Sequence, residues 1–477
     1  MKYEAVIGLE VHAQLKTKTK IFCGCPNEFG ALPNTNVCPV CLGLPGALPV
    51  LNRYAVELAV RAALALNCKV HNESRFARKN YFYPDLPKGY QITQYDKPLA
   101  TDGYIEIETD SGLKKIRIMR IHLEEDAGKD LHDISPDHSY IDFNRSGVPL
   151  IEIVSMPDIS SPEEASKYLK NLRNILMYIG VCDGNMEEGS LRCDANVSVR
   201  RAGSNEFGVK TEVKNLNSFK FIEKALACEI ERHIRLLESN QKIEQQTMLY
   251  DSKEQVTRPM RSKEESHDYR YFEEPDLLPL ILTDAEIRAY AEGICELPQQ
   301  KKKRYVEELG LKAYDAEILV QDKEIADFFE ECVALLNEPE RIASFIINDY
   351  LRELNSRKIS ISQSPVTSHR LTALIKRTIE GRITLNMARE IFTLLFEDSR
   401  DIDEIIKERG YEVVNDPEEL VKSIREIISL HPAELAKYKK GNMNILGFFM
   451  GELMKKMKGR IDPRSAKDLV KRELDNA

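Results

Sequence analysis

Residues 5–15 alternate without a break: Ile7, Leu9, Val11, Ala13 and Leu15 fall on one side, and Gly8, Glu10, His12 and Gln14 on the other. Successive strand side chains point to opposite faces, so this pattern suits a half-buried strand and no helix. The same period recurs in three more segments. In 191–199, Leu191, Cys193, Ala195, Val197 and Val199 oppose Arg192, Asp194, Asn196 and Ser198. In 116–126, Arg120, His122 and Glu124 alternate with Met119, Ile121 and Leu123, and Glu125 falls on the other side unless a bulge re-aims it. In 210–216, Glu212 and Lys214 lie together, opposite Thr211 and Val213. An antiparallel sheet with one apolar and one polar face is the expected core.

Helices enter this region at 52–66, 161–179 and 219–238. The second opens on Ser160-Ser-Pro-Glu-Glu, a cap followed by a first-turn proline and early acids. The pattern changes after Pro275–Pro279. Thr283-Asp-Ala-Glu reads as a capping box, and helical spacing follows over 284–293, 298–309, 315–335, 338–355, 366–379, 384–397 and 401–409. A second break falls near Gly410–Pro417. The fold class expected is α+β, in three parts: an antiparallel-sheet cradle over 1–292, an all-α domain over 293–410 and a small helical tail over 411–477.

A polar sheet face ordinarily meets water. Here the face repeats Glu-x-His, Asp-x-Asn and Glu-x-Lys with few neutral fillers. Carboxylates brought together repel one another unless cations sit among them, and carboxylates with retained waters suit Mg²⁺, which in turn binds phosphates. Both readings, solvated face and metal–phosphate site, fit the pattern alone. Neither Gly-x-x-x-x-Gly-Lys-Ser/Thr nor Gly-x-Gly-x-x-Gly occurs, so any ATP would lie on the sheet, held by metal ions and by Arg78, Lys79, Lys88 and Lys214. The segment 78–94 interleaves cations with tyrosines, which fits a nucleotide or an RNA 3′ end, and equally a packed loop.

Cys23-Gly-Cys25 and Cys38-Pro-Val-Cys41 are two short-spaced pairs joined by twelve residues. That spacing points to one tetrahedral, structural zinc over 23–41. The other six of the ten cysteines are scattered, as small core residues are.

The net charge is −9, yet residues 431–477 carry 11 Lys/Arg against 6 Asp/Glu. A basic tail on an acidic body fits a polyanionic partner, and also a tail kept soluble by lysines. The tail is expected to hold a helix over 441–458, with Ile445, Leu446, Phe448, Phe449, Leu453 and Met457 as its apolar stripe and Lys455, Lys456, Lys458 and Arg460 near its end. Asp462-Pro463 would start another, presenting Arg464, Lys467, Lys471 and Arg472. No window approaches ~18 consecutive apolar residues. With no leader-like start, a cytoplasmic protein without membrane contact is expected.

Seven separated segments carry a family resemblance: Ile7-Gly-Leu-Glu-Val-His12, Arg78-Lys-Asn-Tyr-Phe-Tyr-Pro-Asp, Leu123-Glu-Glu-Asp-Ala-Gly128, Leu150-Ile-Glu-Ile-Val, Met186-Glu-Glu-Gly-Ser-Leu-Arg-Cys-Asp-Ala-Asn196, Lys214-Asn-Leu-Asn-Ser-Phe and Asp268-Tyr-Arg-Tyr-Phe. Together they resemble the B subunit of the tRNA-dependent amidotransferases, in the version that bears the zinc cysteines. The resemblance implies a cradle similar to glutamine synthetase. It also implies a three-chain enzyme, completed by an amidase-type glutaminase (the A subunit) and a small C subunit. It implies ATP-dependent phosphorylation of the side-chain carboxylate of Glu-tRNA(Gln) or Asp-tRNA(Asn), then amidation by ammonia from the glutaminase. It places the catalytic metal ligands on Glu10, His12, Glu124, Glu125, Asp194 and Glu212, and turns Lys79, Lys88, Arg192 and Lys214 toward phosphates. The residues by themselves also allow an autonomous ammonia-using ligase, or a zinc-bearing RNA-binding scaffold.

Overall fold

A computed structural model describes residues 2–131, 138–214, 216–260, 269–413, 417–457, 460–461 and 463–477. Asn215, Asp268, Lys458 and Asp462, and the side chain of Arg464, lie outside the described residues. The chain divides into two compact units, Met1–Pro298 and Gln299–Ala477.

The first unit is built on a nine-stranded sheet, with Tyr3–Gln14 at its centre. This strand pairs antiparallel with Pro149–Ser155 on one side and Leu191–Arg201 on the other. Beyond Pro149–Ser155 come Gly112–Glu125, Ala100–Thr109 and Lys69–Val70. Beyond Leu191–Arg201 come Thr211–Lys214, Thr247–Asp251 and Val256–Pro259. Every pairing is antiparallel except that of Thr211–Lys214 with Thr247–Asp251.

The alternation read from the sequence decides the layers. Ile7, Leu9, Val11 and Ala13 are fully buried, and they share one core with Leu58, Val60, Leu169, Leu172, Ile222 and Leu226. Those partners come from the helices Arg53–Ala65, Pro162–Tyr178 and Phe219–Glu238. Each helix has a side-chain N-cap, of which only that at Ser161 was expected. The Asn52 side chain accepts from Tyr54 N–H, Ser161 from Glu164 N–H and Ser218 from Phe221 N–H. A three-stranded sheet, Ala77–Asn80, Tyr90–Thr93 and Phe272–Glu273, brings the cation- and tyrosine-rich segment to the Glu124 end of the large sheet.

In the second unit the described chain is helical and holds two hydrophobic clusters, one drawn from residues 305–406 and one from 420–474. The boundary between units falls at Pro298 because Ile294, Cys295 and Leu297 still pack on the first core. Two expected helices are interrupted. The 315–335 span is two helices, Ala313–Leu319 and Lys323–Leu335, because the Asp322 carboxylate caps the second by accepting from Glu324 N–H at 2.8 Å. The 338–355 span contains a π-turn at Ile346–Tyr350.

The tail helix starts later than expected, at Ile445, after a turn at Gly441, whose φ of 92° favours glycine. Phe449, Leu453 and Met457 are buried there. In Pro463–Asn476, Ala466, Val470 and Leu474 are buried while Lys467, Lys471 and Arg472 face solvent. Among the described residues, no helix is long and apolar enough to cross a membrane.

Candidate functional site

The polar face of the central strands is where the chemistry gathers. Strand register sets Arg192, His12, Glu152 and His122 side by side in one row across four strands. Glu124 sits two residues along the same strand from His122, hence on the same face. The His12 Nε2 atom lies 3.8 Å from Glu124 Oε1 and 3.7 Å from Glu152 Oε2. One ligand atom from each of His12, Glu124 and Glu152 falls within 4.8 Å of the others, a geometry that can hold a metal ion. Thr93 Oγ1 donates to Glu124 Oε2 at 2.8 Å and fixes that carboxylate.

A second carboxylate group lies beside the first. Glu10 stands opposite Asp194, and Asn196 opposite Glu212. The Asn196 side chain donates to Glu10 at 2.9 Å, Lys214 Nζ lies 3.7 Å from Asp194 and 3.5 Å from Glu212, and Thr247 Oγ1 donates to Glu212 at 3.0 Å.

The electrostatics are those of a cluster short of positive charge. Burial, then the carboxylates of Glu152 and Glu212, raise the Glu10 pKa. Burial and Glu152 raise that of Glu124 as well. For His12, burial opposes the charge, but the neighbouring carboxylates of Glu152 and Glu124 overcome it and raise the pKa. Burial also works against the Lys79 ammonium, and Glu124, Tyr271 and Glu152 more than offset it. The field that draws a proton to His12 and Glu124 would equally draw a divalent cation.

Of the expected residues, Glu10, His12, Glu124, Asp194, Glu212, Arg192 and Lys214 share this face, and Lys79 approaches it from the small sheet. Arg192 is held by Asp126, at 2.9 Å. Glu125 and Lys88 are not brought to it. No bulge interrupts the pairing of Glu124 with Leu150 and of Glu125 with Pro149, so Glu125 points away, as alternation alone requires. There its carboxylate accepts from Lys88 Nζ at 2.6 Å and from Ile92 N–H at 2.9 Å, in a pocket that Cys23 and Cys41 also line.

Two further groups leave no signal of their own in the sequence. Glu152 stands out there only as part of the segment Leu150-Ile-Glu-Ile-Val. Glu229, fully buried in the helix Phe219–Glu238, accepts from Thr211 and Thr257 at 2.8 Å each and pairs with Arg232 and His233. Burial would raise its pKa, but the bonds from His233, Arg232 and both threonines hold it well below the usual carboxylate range. It thereby ties the strand that carries Glu212 and Lys214 to the helix behind it.

The four knuckle cysteines form a second metal-capable group, all four Sγ atoms lying within 4.8 Å of one another. Leu42 N–H donates to Cys38 O and Gly43 N–H to Val40 O, closing a turn in which Cys38 N–H points at Cys41 Sγ, 3.1 Å away. The Lys20 ammonium, with no exposed surface, reaches Cys41 Sγ at 3.7 Å. The Cys23 thiol beside it holds the Cys41 thiol well below its ordinary range against burial, and the Cys38 N–H and Lys20 add to this.

Residues 5–288 match the family described as the GatB/GatE catalytic domain, and residues 327–474 match the GatB domain. The chain belongs to the GatB family. Similar relatives are named as the B subunit of aspartyl/glutamyl-tRNA(Asn/Gln) amidotransferase. That of Thermodesulfovibrio yellowstonii is 53% identical over 470 residues, spanning 98% of this chain and 99% of its own. Those of Persephonella marina and Geotalea daltonii are 52% and 48% identical, each spanning 99% of this chain and all of their own.

Proposed function

We propose that this chain is the B subunit of a tRNA-dependent amidotransferase, which activates the side-chain carboxylate of Glu-tRNA(Gln) or Asp-tRNA(Asn) with ATP and forms the amide with ammonia. The convergence of His12, Glu124 and Glu152, continued along the face by Glu10, Asp194 and Glu212, carries this reading. A carboxylate is a poor electrophile. Its oxygen attacks the γ-phosphorus, ADP departs, and the acyl phosphate then offers ammonia a leaving group.

Both carboxylate groups would hold Mg²⁺, which supplies charge neutralisation between the γ-phosphate and the entering carboxylate. His12 as a ligand would be neutral. Lys214, between Asp194 and Glu212, and Arg192 would meet the phosphates, and Lys79 would approach from the opposite end. Glu125 and Lys88, paired on the other side, support the protein around the cysteine knuckle instead, where we place one structural Zn²⁺.

The partners would be the amidase-type glutaminase, a small C subunit, and the aminoacyl-tRNA, in the cytoplasm. The test is ATP- and Mg²⁺-dependent amidation of Glu-tRNA and Asp-tRNA by the chain, alone with ammonium and then with glutamine and its glutaminase. Absence of ATP-dependent product under both conditions would exclude the reading.

We assign tRNA binding to the tail. Tyr411 and Val413 pack on the 305–406 cluster, so deletion should begin after them. Removing 414–477 should raise the KM for aminoacyl-tRNA and leave turnover at saturating tRNA little changed. Log K should also lose slope against log salt by roughly 0.7–0.9 per phosphate contact removed. A folded truncation with unchanged affinity and salt slope would make the tail a structural cap.

A further inference from the structure

Four tyrosines from three separate segments meet beside the carboxylate face. Tyr95 and Tyr271 stack with ring centroids 4.0 Å apart and planes 5° from parallel. Tyr271 meets Tyr269 edge-on at 6.0 Å, and Tyr269 meets Tyr81 edge-on at 6.0 Å. Lys79 Nζ lies 4.8 Å from the Tyr269 ring centroid and 6.0 Å from that of Tyr81. The same ammonium lies in the field of Glu124 and Glu152, so Lys79 links the tyrosines to the metal-capable group.

Local structure keeps the rings in place. Asn80 N–H donates to Tyr269 O at 2.9 Å and the Asn80 side chain donates to Arg270 O at 2.8 Å. These bonds accompany a φ of 42° at Arg270, in the left-handed region that side chains other than glycine rarely enter. A backbone held in such a conformation is set by its surroundings, and such residues cluster at functional sites. The cluster is not a closed core: Tyr95 is 49% exposed, and Tyr81, Tyr269 and Tyr271 are only partly buried.

We propose that Tyr81, Tyr95, Tyr269 and Tyr271 form the seat on which the 3′-terminal adenine of the aminoacyl-tRNA stacks. The proposal rests on the amidotransferase reading above. That reaction needs two substrates to meet over His12, Glu124 and Glu152. At one end of the face, Lys214 sits between Asp194 and Glu212, a charge pattern suited to a metal-bound triphosphate. The other end offers aromatic rings and the Lys79 ammonium, which suit a base and a carboxylate. An aminoacyl group is esterified to the terminal ribose, so a side-chain carboxylate over the metal-capable group leaves its own adenine among these rings. Aromatic rings recognise a base by its π-face and so add affinity without reading the rest of the tRNA.

The full-length chain, assembled in its amidotransferase complex, is assayed as wild type, Tyr95→Leu, Tyr271→Leu and the corresponding Tyr→Phe variants. Tyr95 is half-exposed, so its replacement should leave folding intact even if that of Tyr271 does not. Each Leu variant should raise the KM for Glu-tRNA roughly 5- to 150-fold, the range set by one lost base–aromatic stack, with the KM for ATP unchanged. The Phe variants, which keep the ring, should behave as wild type. An uncharged tRNA with 2-aminopurine as its 3′-terminal base should lose fluorescence on binding the wild type, and less on binding the Leu variants.

If the KM for ATP rises instead, the rings serve ATP's adenine and the proposal is overturned. If folded Leu variants change neither KM nor the quenching, the cluster only packs the small sheet, which also overturns it. A wild-type complex without ATP-dependent amidation would sink the parent reading alone. The 2-aminopurine signal needs neither ATP nor chemistry, and it still decides the stacking seat.

Discussion

Replacing Glu124 or Glu152 by Gln will lower ATP-dependent amidation by about three orders of magnitude and leave the chain folded. Each change removes a negative oxygen donor while conserving volume. The charge neutralisation a divalent ion offers phosphoryl transfer is worth several kcal/mol, and about 4 kcal/mol is a thousandfold in rate. At Glu124, where burial and Glu152 already disfavour the charge, the uncharged amide relieves repulsion in the ion-free protein, whereas Glu152 is held ionised by His12, His122 and Lys79 and its amide gives up those attractions. Stability should therefore hold or rise in Glu124→Gln and fall modestly in Glu152→Gln, while activity collapses in both. Mn²⁺ binding followed by electron paramagnetic resonance should weaken in parallel. Glu152→Gln is the more diagnostic of the two. If it retained wild-type turnover and Mn²⁺ affinity, the ion would not sit where His12, Glu124 and Glu152 meet.

The opposite pattern is expected at the knuckle. Serine at Cys23 and Cys25, or at Cys38 and Cys41, should abolish metal binding there and cut stability, while any folded enzyme keeps most of its turnover. Structural zinc sites contribute on the order of 10–16 kcal/mol in small domains, and even a third of that should lower Tm by roughly 5–9 °C in a unit of this size. Freshly purified wild type should contain one zinc per chain. Absence of zinc with all four thiols reduced and intact would refute the assignment.

How much of this was legible in the sequence follows from the kind of signal each residue leaves. Period 2 exposed Glu10, His12, Asp194 and Glu212, because each sits among apolar alternates on a strand with one solvent-facing side. It also placed Glu125 away from Glu124, against the ligand set that the family resemblance implied. Glu152 escaped because Pro149–Ser155 runs between two other strands and is apolar on both sides of that one residue. A strand buried on both faces shows no alternation. Glu229 escaped because its partners are distant in sequence: Thr211 and Thr257 say nothing of a helix between them. The pairing of Lys88 with Glu125 is likewise tertiary, so Lys88 could be assigned to phosphate on charge alone. Within the helices, the break at Asp322 becomes visible only where the fold sets its carboxylate over Glu324 N–H.

The buried Lys20 has a consequence for how this chain can change over evolutionary time. Four thiolates around a divalent cation carry a surplus of two negative charges, and an ammonium without access to water offsets one of them. If the cysteines were lost first, the lysine would remain as an uncompensated buried cation, strongly destabilising by itself. If the lysine were lost first, the metal centre would keep its full surplus charge beside the buried Cys41. A lineage that abandons the knuckle should therefore discard Lys20 with it, passing through few viable intermediates, so that chains of this family should hold either all five residues or none.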